Sequence, residues 1–249
     1  MERLDQAAGL LLEGRRTLQP IDDLPPALRP KTLDEAYYVQ DVIVRDLGDV
    51  GGWKVGASSP EATPLYAPMP VEGFAAGDGV ISGQRRLRGV EAEIAFLLGK
   101  DLPPRSTPYS REEVMGAVAS CHTAIEVLES ALQNPDTADR LSAIADLQSN
   151  GGFVYGEALK DWQSLNFAYV RAEMNIDGFV RVAGGKNAAG PDLLRLVQWL
   201  ANDAQNRTGG LRAGHWITTG SWTGKSFAES GSTVTARFDE LGDVRLRFA

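Results

Sequence analysis

The sequence predicts an α+β fold, because helical patterns fill the first 50 residues and strand patterns dominate after residue 52. Helices are inserted between the later strands without a regular βαβ alternation, which favours a mixed-sheet domain. A chain of 249 residues is compatible with one large domain or with one domain and a small appendage. We therefore expect a helical segment over residues 1–50 and a β-rich domain over residues 51–249.

The composition excludes several classes of protein. Hydrophobic residues make up 43% of the chain, which is enough for a packed core. The single cysteine, Cys121, excludes a disulfide framework and a cysteine-rich zinc module. The net charge of -8 comes with no basic face for nucleic acid, and no apolar run approaches the ~20 residues of a membrane span. We expect a cytoplasmic protein that binds neither nucleic acid nor a membrane.

Two helices are predicted before the first strand. Apolar residues from Leu4 to Leu12 indicate a helix that ends near Pro20. Thr32 and Glu35 form the capping box of the second helix, whose apolar positions repeat at helical spacing through residue 47.

The following elements are predicted to be mainly strands. Trp53 to Ala57 indicates a short strand, Ser58 to Gly79 a loop rich in proline and glycine, and Val90 to Leu98 a longer strand. Ser110 and Glu113 form a capping box for a helix that apolar positions extend to Cys121. The apolar run from Ala124 to Leu128 fits either a continuation of that helix or a strand.

The last third of the chain is predicted to contain a hairpin, a helix and closing strands. Asp177-Gly178 is a hairpin turn signal, and Pro191 suits the first turn of a helix whose apolar face runs from Leu193 to Ala204. The predicted strands are Tyr169–Ile176, Phe179–Val182, Trp216–Thr219, Thr233–Phe238 and Val244–Phe248.

Two acidic residues share one face of the strand predicted over residues 90–98. Glu91 and Glu93 are two residues apart, so their Cα atoms lie roughly 7 Å apart on one face. Carboxylates beside apolar residues repel each other and resist desolvation, and a hard divalent cation relieves both effects. The alternative is a solvated strand face opposite a core-facing side that includes Ile94 and Phe96.

A third acid favours the metal interpretation. Glu126 lies inside an apolar run, where acids are usually paired or bound to a metal. Three carboxylates suit Mg²⁺ or Mn²⁺ and do not suit a nitrogen- or sulfur-rich zinc site. His122 falls on the same side as Glu126, but a lone histidine is more often structural, so we leave it out of the ligand set.

Lys54 lies between Trp53 and Val55 in a segment flanked by glycines. Such a lysine is either held close to a functional group or extends its ammonium from an edge strand into solvent.

Five segments in this order resemble the 2-keto-4-pentenoate hydratase group of the fumarylacetoacetate hydrolase superfamily. The resemblance extends from about residue 33 to the end of the chain. The segments are Gly52–Gly56, Glu91–Phe96, Ala124–Val127, Gly214–Ser221 and Leu241–Val244.

The resemblance implies mixed β-sheets rolled around a central pocket, with N-terminal helices packed outside and a catalytic domain over residues 51–249. It implies Mg²⁺ or Mn²⁺ held by acids that match Glu91, Glu93 and Glu126, and it places Lys54 in the pocket. Ser149, three residues after an aspartate, is a candidate substrate contact. Homo-oligomers are usual in the group.

The resemblance also implies a reaction class. A 2-oxo acid would chelate the metal, which stabilises a developing enolate. Hydration or dehydration of a 2-oxo-4-enoate is our first expectation. The alternatives are decarboxylation of a 2-oxo diacid, carbon–carbon bond hydrolysis, and a non-catalytic homologue that only binds the ligand.

Two departures from the group concern the pocket. The stretch Pro64–Ala67 lacks the acid that these hydratases usually carry after the lysine, and Glu72 is a possible substitute. The loop after Asp146 lacks the usual asparagine. Both departures bear on the exact reaction more than on the metal.

Overall fold

Two helices precede the first strand in the computed structural model, which describes residues 1–207 and 209–249. The helices are α1 (Glu2–Thr17), α2 (Leu33–Leu47), α3 (Arg111–Ala117), α4 (Arg140–Ala145) and α5 (Leu193–Asp203). The strands are β1 (Val50–Gly56), β2 (Leu65–Pro70), β3 (Phe74–Ala76), β4 (Gly79–Ile81), β5 (Gly89–Leu98), β6 (Val118–Leu128), β7 (Asn150–Tyr155), β8 (Ala172–Ile176), β9 (Phe179–Gly185), β10 (Trp216–Ser221), β11 (Ser226–Phe227), β12 (Thr233–Phe238) and β13 (Gly242–Phe248).

The strands of the described residues form two mixed sheets. The first sheet has the order β2-β1-β10-β5-β6-β7-β3, with β11 paired to β5. The second has the order β4-β13-β12-β8-β9. Each sheet contains both parallel and antiparallel pairs, so the α+β prediction is confirmed. None of the helices in the described part of the chain has the length and apolar character to cross a bilayer.

The two faces of β5 pack into different cores. Ile94 and Phe96 belong to the large core, which also contains buried residues of α1, α2 and both sheets. Ala95 belongs to a small cluster on the opposite face, together with Phe153 and Trp216. Because side chains alternate along a strand, Glu91 and Glu93 lie on the face of the small cluster.

The N-terminal helices pack against each other and on the edge of the first sheet. Helix α2 contacts α1, α4 and β2. The side chain of Thr32 accepts a hydrogen bond from the Glu35 backbone, as predicted, at 3.2 Å. The Glu35 carboxylate, however, accepts from the backbone N–H of Lys31 at 2.6 Å, so only half of the predicted capping box forms. The box of Ser110 and Glu113 on α3 is complete.

Several of the predicted element boundaries are wrong, including the start of the strand predicted from Tyr169, which begins at Ala172. The segment predicted as a loop, Ser58–Gly79, contains β2 and β3; prolines fit β2 because it is an edge strand. The helix predicted to reach Cys121 ends at Ala117, because the following residues pair with β5. Pro191 precedes the Asp192 N-cap of α5 and lies outside the helix. The predicted hairpin and the closing strands are confirmed.

Candidate metal centre

Three carboxylates converge on one face of the first sheet. Strands β5 and β6 are antiparallel, and their register places Glu91 directly opposite Glu126. Glu93 follows Glu91 by two residues and therefore shares its face. One carboxylate oxygen from each residue lies within 4.8 Å of the other two. The strand alternative for residues 124–128 is thus correct, and this pairing brings the three acids together.

The acids are largely removed from water. Glu93 is 2% exposed and Glu126 is fully buried, whereas Glu91 is half-buried. Burial, and secondarily the charge of Glu126, raises the pKa of Glu93 well above its ordinary value. Burial also raises the pKa of Glu91, although Lys54 opposes the shift. A solvated strand face, the alternative considered for this segment, does not describe these side chains.

Lys54 lies inside the acidic cluster. Its Nζ atom is 2.7 Å from Glu126 Oε1 and donates a hydrogen bond to the backbone oxygen of Gln148 at 2.9 Å. Burial alone would lower the pKa of Lys54, but the attraction of Glu126, Glu91 and Glu93 outweighs burial and raises it. The ammonium therefore remains charged, and Lys54 does not extend into solvent from an edge strand.

Neutral donors hold two of the carboxylates in place. Glu126 Oε1 accepts a hydrogen bond from Asn150 Nδ2 at 2.9 Å. Glu93 Oε2 accepts hydrogen bonds from the Thr218 hydroxyl and from the backbone N–H of Gly220, the latter at 2.9 Å. These donors fix the carboxylate orientations before any ligand binds.

The cluster fits a hard divalent cation. With all three carboxylates ionised, three negative charges face the single positive charge of Lys54, which leaves a net charge of two negative units. Among the described residues, no donor reaches the buried Oε2 atom of Glu126. A buried acceptor without a partner is costly, and a cation would satisfy it. The donor set consists of oxygens alone, which suits Mg²⁺ or Mn²⁺.

A cavity of about 440 Å³ opens on Lys54, Glu91 and Glu93, whereas Glu126 lies buried behind its lining. Its floor is formed by β1, β5 and β10, and its rim by the loop after β1, α4, the loop after α4 and the loop before α5. The lining side chains with polar or charged ends are Lys54, Ser58, Thr63, Glu91, Glu93, Arg140, Gln148, Asn187 and Ser221. Its volume is that of a site for a small organic molecule.

Ser149 lies in the turn beside this cavity. In the described part of the chain, Gln148 lines the cavity but Ser149 does not. Three consecutive non-glycine residues of this turn have positive φ: Leu147 at 51°, Gln148 at 48° and Ser149 at 62°. Such backbone is uncommon and persists only where the surroundings enforce it.

The turn is anchored by the buried carboxylate of Asp146. This group pairs with Arg15 at 2.5 Å and accepts hydrogen bonds from the Ser130 hydroxyl and the Ala131 backbone at 2.5 and 2.8 Å. The anchor fixes the carbonyl of Gln148 next to Lys54. Asp146 therefore acts on the site through the backbone and has no direct contact with the three acids.

The acid that is missing near residue 65 has no substitute in Glu72. Leu65 lines the cavity itself. Glu72 lies next to Gly48 and lines a separate cavity with Arg85 and Glu129.

His122 has a structural environment. Its ring nitrogens contact the Ser120 hydroxyl at 2.7 Å and the Gly156 carbonyl at 2.9 Å, and the ring packs against Trp216. Burial lowers its pKa, which favours the neutral ring. This environment agrees with leaving His122 out of the ligand set.

Several residues of the site have no role predicted from the sequence. Thr218 lies within a segment that carried the family resemblance, and Asn150 directly follows Ser149. Only the three-dimensional structure shows that Asn150 holds Glu126 and that Thr218 holds Glu93. Arg140 gives no signal in the sequence, because it lies outside every motif.

The family model described as fumarylacetoacetate (FAA) hydrolase C-terminal matches residues 61–249. The chain belongs to this family. The 2-keto-4-pentenoate hydratase 2 of Dechloromonas aromatica (strain RCB) is 29% identical to the chain over 263 residues, covering 98% of this chain and 97% of the hydratase. The 4-oxalocrotonate decarboxylase of Pseudomonas putida is 27% identical, covering 87% of this chain and 86% of the decarboxylase.

The fold of the family is also found in solved structures. The 4-oxalocrotonate decarboxylase from Pseudomonas putida G7, complexed with magnesium and adipate, superposes with a TM-score of 0.85 at 24% sequence identity. The alignment covers all of this chain and 98% of the decarboxylase. The predicted fold and the predicted resemblance to the hydratase group of the fumarylacetoacetate hydrolase family are therefore confirmed.

Proposed function

We propose that this chain is a divalent-metal-dependent hydratase or lyase that acts on a small 2-oxo acid. Glu91, Glu93 and Glu126 would hold Mg²⁺ or Mn²⁺. The observation that carries the proposal is the convergence of three carboxylates within 4.8 Å in a member of this family. The magnesium in the related decarboxylase structure supports the choice of ion.

Each residue of the site has a defined task in this proposal. When bound, the cation supplies Lewis-acid polarisation of the substrate carbonyl. The Lys54 ammonium lies beside the position where negative charge develops and stabilises that charge in a site shielded from water. Asn150 and Thr218 keep Glu126 and Glu93 oriented toward the cation. Ser149 remains a candidate substrate contact.

Hydration or dehydration of a 2-oxo-4-enoate is the favoured reaction, because the hydratase of D. aromatica aligns over nearly the whole chain. Decarboxylation of a 2-oxo diacid is the second candidate, supported by the similarity to the decarboxylase of P. putida. Carbon–carbon bond hydrolysis and ligand binding without turnover are the remaining alternatives.

A spectroscopic assay tests the proposal. The ultraviolet absorbance of 2-hydroxypenta-2,4-dienoate is followed with the protein and Mg²⁺ or Mn²⁺, and we expect a loss of signal that chelator abolishes. Carbon dioxide release from a 2-oxo diacid is measured in parallel to detect decarboxylation. Metal-dependent binding without turnover of any 2-oxo acid would contradict the enzymatic proposal and favour a non-catalytic homologue.

Three further predictions accompany this proposal. We propose a homo-oligomer, a cytoplasmic location, and a catalytic domain over residues 51–249 preceded by the helical segment over residues 1–50. Sedimentation equilibrium tests the first of these directly, and a monomer at micromolar concentration would contradict it.

A further inference from the structure

A second positively charged side chain, that of Arg140, lines the cavity besides Lys54. Arg140 is the first residue of α4, is exposed, and lines the cavity. The ion pairs formed by the described residues do not include Arg140. Its guanidinium is therefore available to an anion that enters the cavity.

The two positively charged side chains, Lys54 and Arg140, differ in the contacts they make. Lys54 already contacts Glu126 and the carbonyl of Gln148, so two of its three N–H donors are in use. Arg140 precedes Gln148 by one short helix, and both residues line the cavity. A ligand held at the acidic cluster would thus meet Arg140 with another part of its structure.

The remaining rim offers no competing charge. Among the described residues, Glu91 and Glu93 are the only carboxylates that line the cavity. Leu65 is apolar, and the Asn187 amide is used internally, since it donates to the carbonyls of Thr219 and Gly220. A second anionic group on the ligand would therefore meet attraction from Arg140 without repulsion from a rim carboxylate.

We propose that Arg140 binds the distal carboxylate of the substrate, so that the site prefers 2-oxo dicarboxylates to 2-oxo monocarboxylates of equal length. The inference rests on the proposed function, which places the 2-oxo group at the metal. Among the candidate substrates it favours those with a second carboxylate, either a 2-oxo-4-enoate that carries one or a 2-oxo diacid. A guanidinium matches a carboxylate with two parallel hydrogen bonds and gives both affinity and orientation.

Calorimetric titration of the Mg²⁺-loaded protein with 2-oxoadipate and 2-oxohexanoate tests this preference without requiring turnover. Both acids have six carbons, and only the first has a distal carboxylate. We expect the wild type to bind 2-oxoadipate about 10-fold more tightly or better, in line with a charge-assisted hydrogen bond. Arg140→Leu should remove this preference and leave 2-oxohexanoate affinity within about twofold, and Arg140→Lys should retain part of it.

Arg181→Leu is the matched control, because Arg181 is an exposed arginine on β9 outside the cavity lining. Its preference for 2-oxoadipate should equal that of the wild type, and all variants should have the same melting temperature. Equal affinities of the wild type for the two acids, or an unchanged preference in Arg140→Leu, would overturn the role of Arg140 and leave the proposed function intact. Failure of both acids to bind would also overturn the role of Arg140, whereas the proposed function is decided by the ultraviolet assay of 2-hydroxypenta-2,4-dienoate.

Discussion

Lys54 Nζ lies 2.7 Å from Glu126 Oε1, which places a charged ammonium inside a cluster of three carboxylates. Both side chains are removed from water, with 14% and 0% of their side-chain surfaces exposed. The lysine offsets part of the repulsion among the acids but leaves an excess of negative charge. The pair therefore leaves the cluster with the negative charge that a divalent cation requires and keeps a positive charge at the cavity.

Lys54→Met should separate the effect of the ammonium on the reaction from its effect on metal binding. We expect turnover at saturating Mg²⁺ to fall at least about 100-fold, because a preorganised charge in the reaction site is lost. Mg²⁺ affinity should not decrease, since a competing positive charge is removed. The metal-free protein should lose about 3–5 kcal/mol of unfolding free energy, because one partner of a buried ion pair is deleted.

The control for this variant is Lys160→Met, which removes an exposed lysine outside the cavity lining. Steady-state kinetics and calorimetric Mg²⁺ titration of both variants provide the comparison. Normal turnover in Lys54→Met would show that the ammonium has no part in the reaction.

Asn150→Ala should weaken metal binding while leaving the fold unchanged. Asn150 donates to Glu126 Oε1 at 2.9 Å, and loss of a donor that orients a metal ligand typically reduces metal affinity 10- to 100-fold. Asn166→Ala is the control, because among the described residues the Asn166 side chain accepts a single local hydrogen bond, from the Ala168 backbone. Equal Mg²⁺ dissociation constants for Asn150→Ala and the wild type would refute the orienting role.

The part of this site that follows from local spacing could be predicted from the sequence. Glu91 and Glu93 share a face because side chains alternate along a strand, and that relationship needs no tertiary information. The opposition of Glu91 and Glu126 depends on the register of β5 against β6, which is set by distant packing. The spacing alone could not show that Glu126 joins Glu91 and Glu93, and that expectation came from the family resemblance.

Other features of the structure depend on strand pairing or tertiary packing and could not be predicted from the sequence. Strand β2 is rich in proline, so its sequence resembles a loop, and only its position at the sheet edge allows it to be a strand. Residues 118–121 have apolar spacing that fits a helix, but they pair with β5 as a strand. Arg140 reaches the cavity through the position of α4, which no local pattern encodes.

Gly52→Ala should destabilise the sheet that carries Lys54. A Cβ atom at residue 52 would lie 2.3 Å from the backbone oxygen of Trp216, across the parallel pairing of β1 and β10. Backbone must move to relieve this contact, so we expect a loss of about 3 kcal/mol or more in unfolding free energy. Urea unfolding followed by circular dichroism measures the change.

A glycine at which an added Cβ would make no close contact provides the control for that substitution. Gly9 lies in α1, and a Cβ there would meet nothing within 4 Å. Gly9→Ala should therefore raise the unfolding free energy by about 0.5–1 kcal/mol, because alanine favours the helix. Stability of Gly52→Ala equal to that of the wild type would contradict the close approach of β1 and β10.

Calorimetric titration with Mg²⁺ or Mn²⁺ tests the convergence of the three carboxylates most directly. The wild type should bind one ion per chain. Glu91→Gln, Glu93→Gln and Glu126→Gln should each weaken binding at least about 10-fold, whereas Glu112→Gln, at an exposed position on α3, should bind like the wild type. Unchanged affinity in all three site variants would show that these residues do not hold the metal.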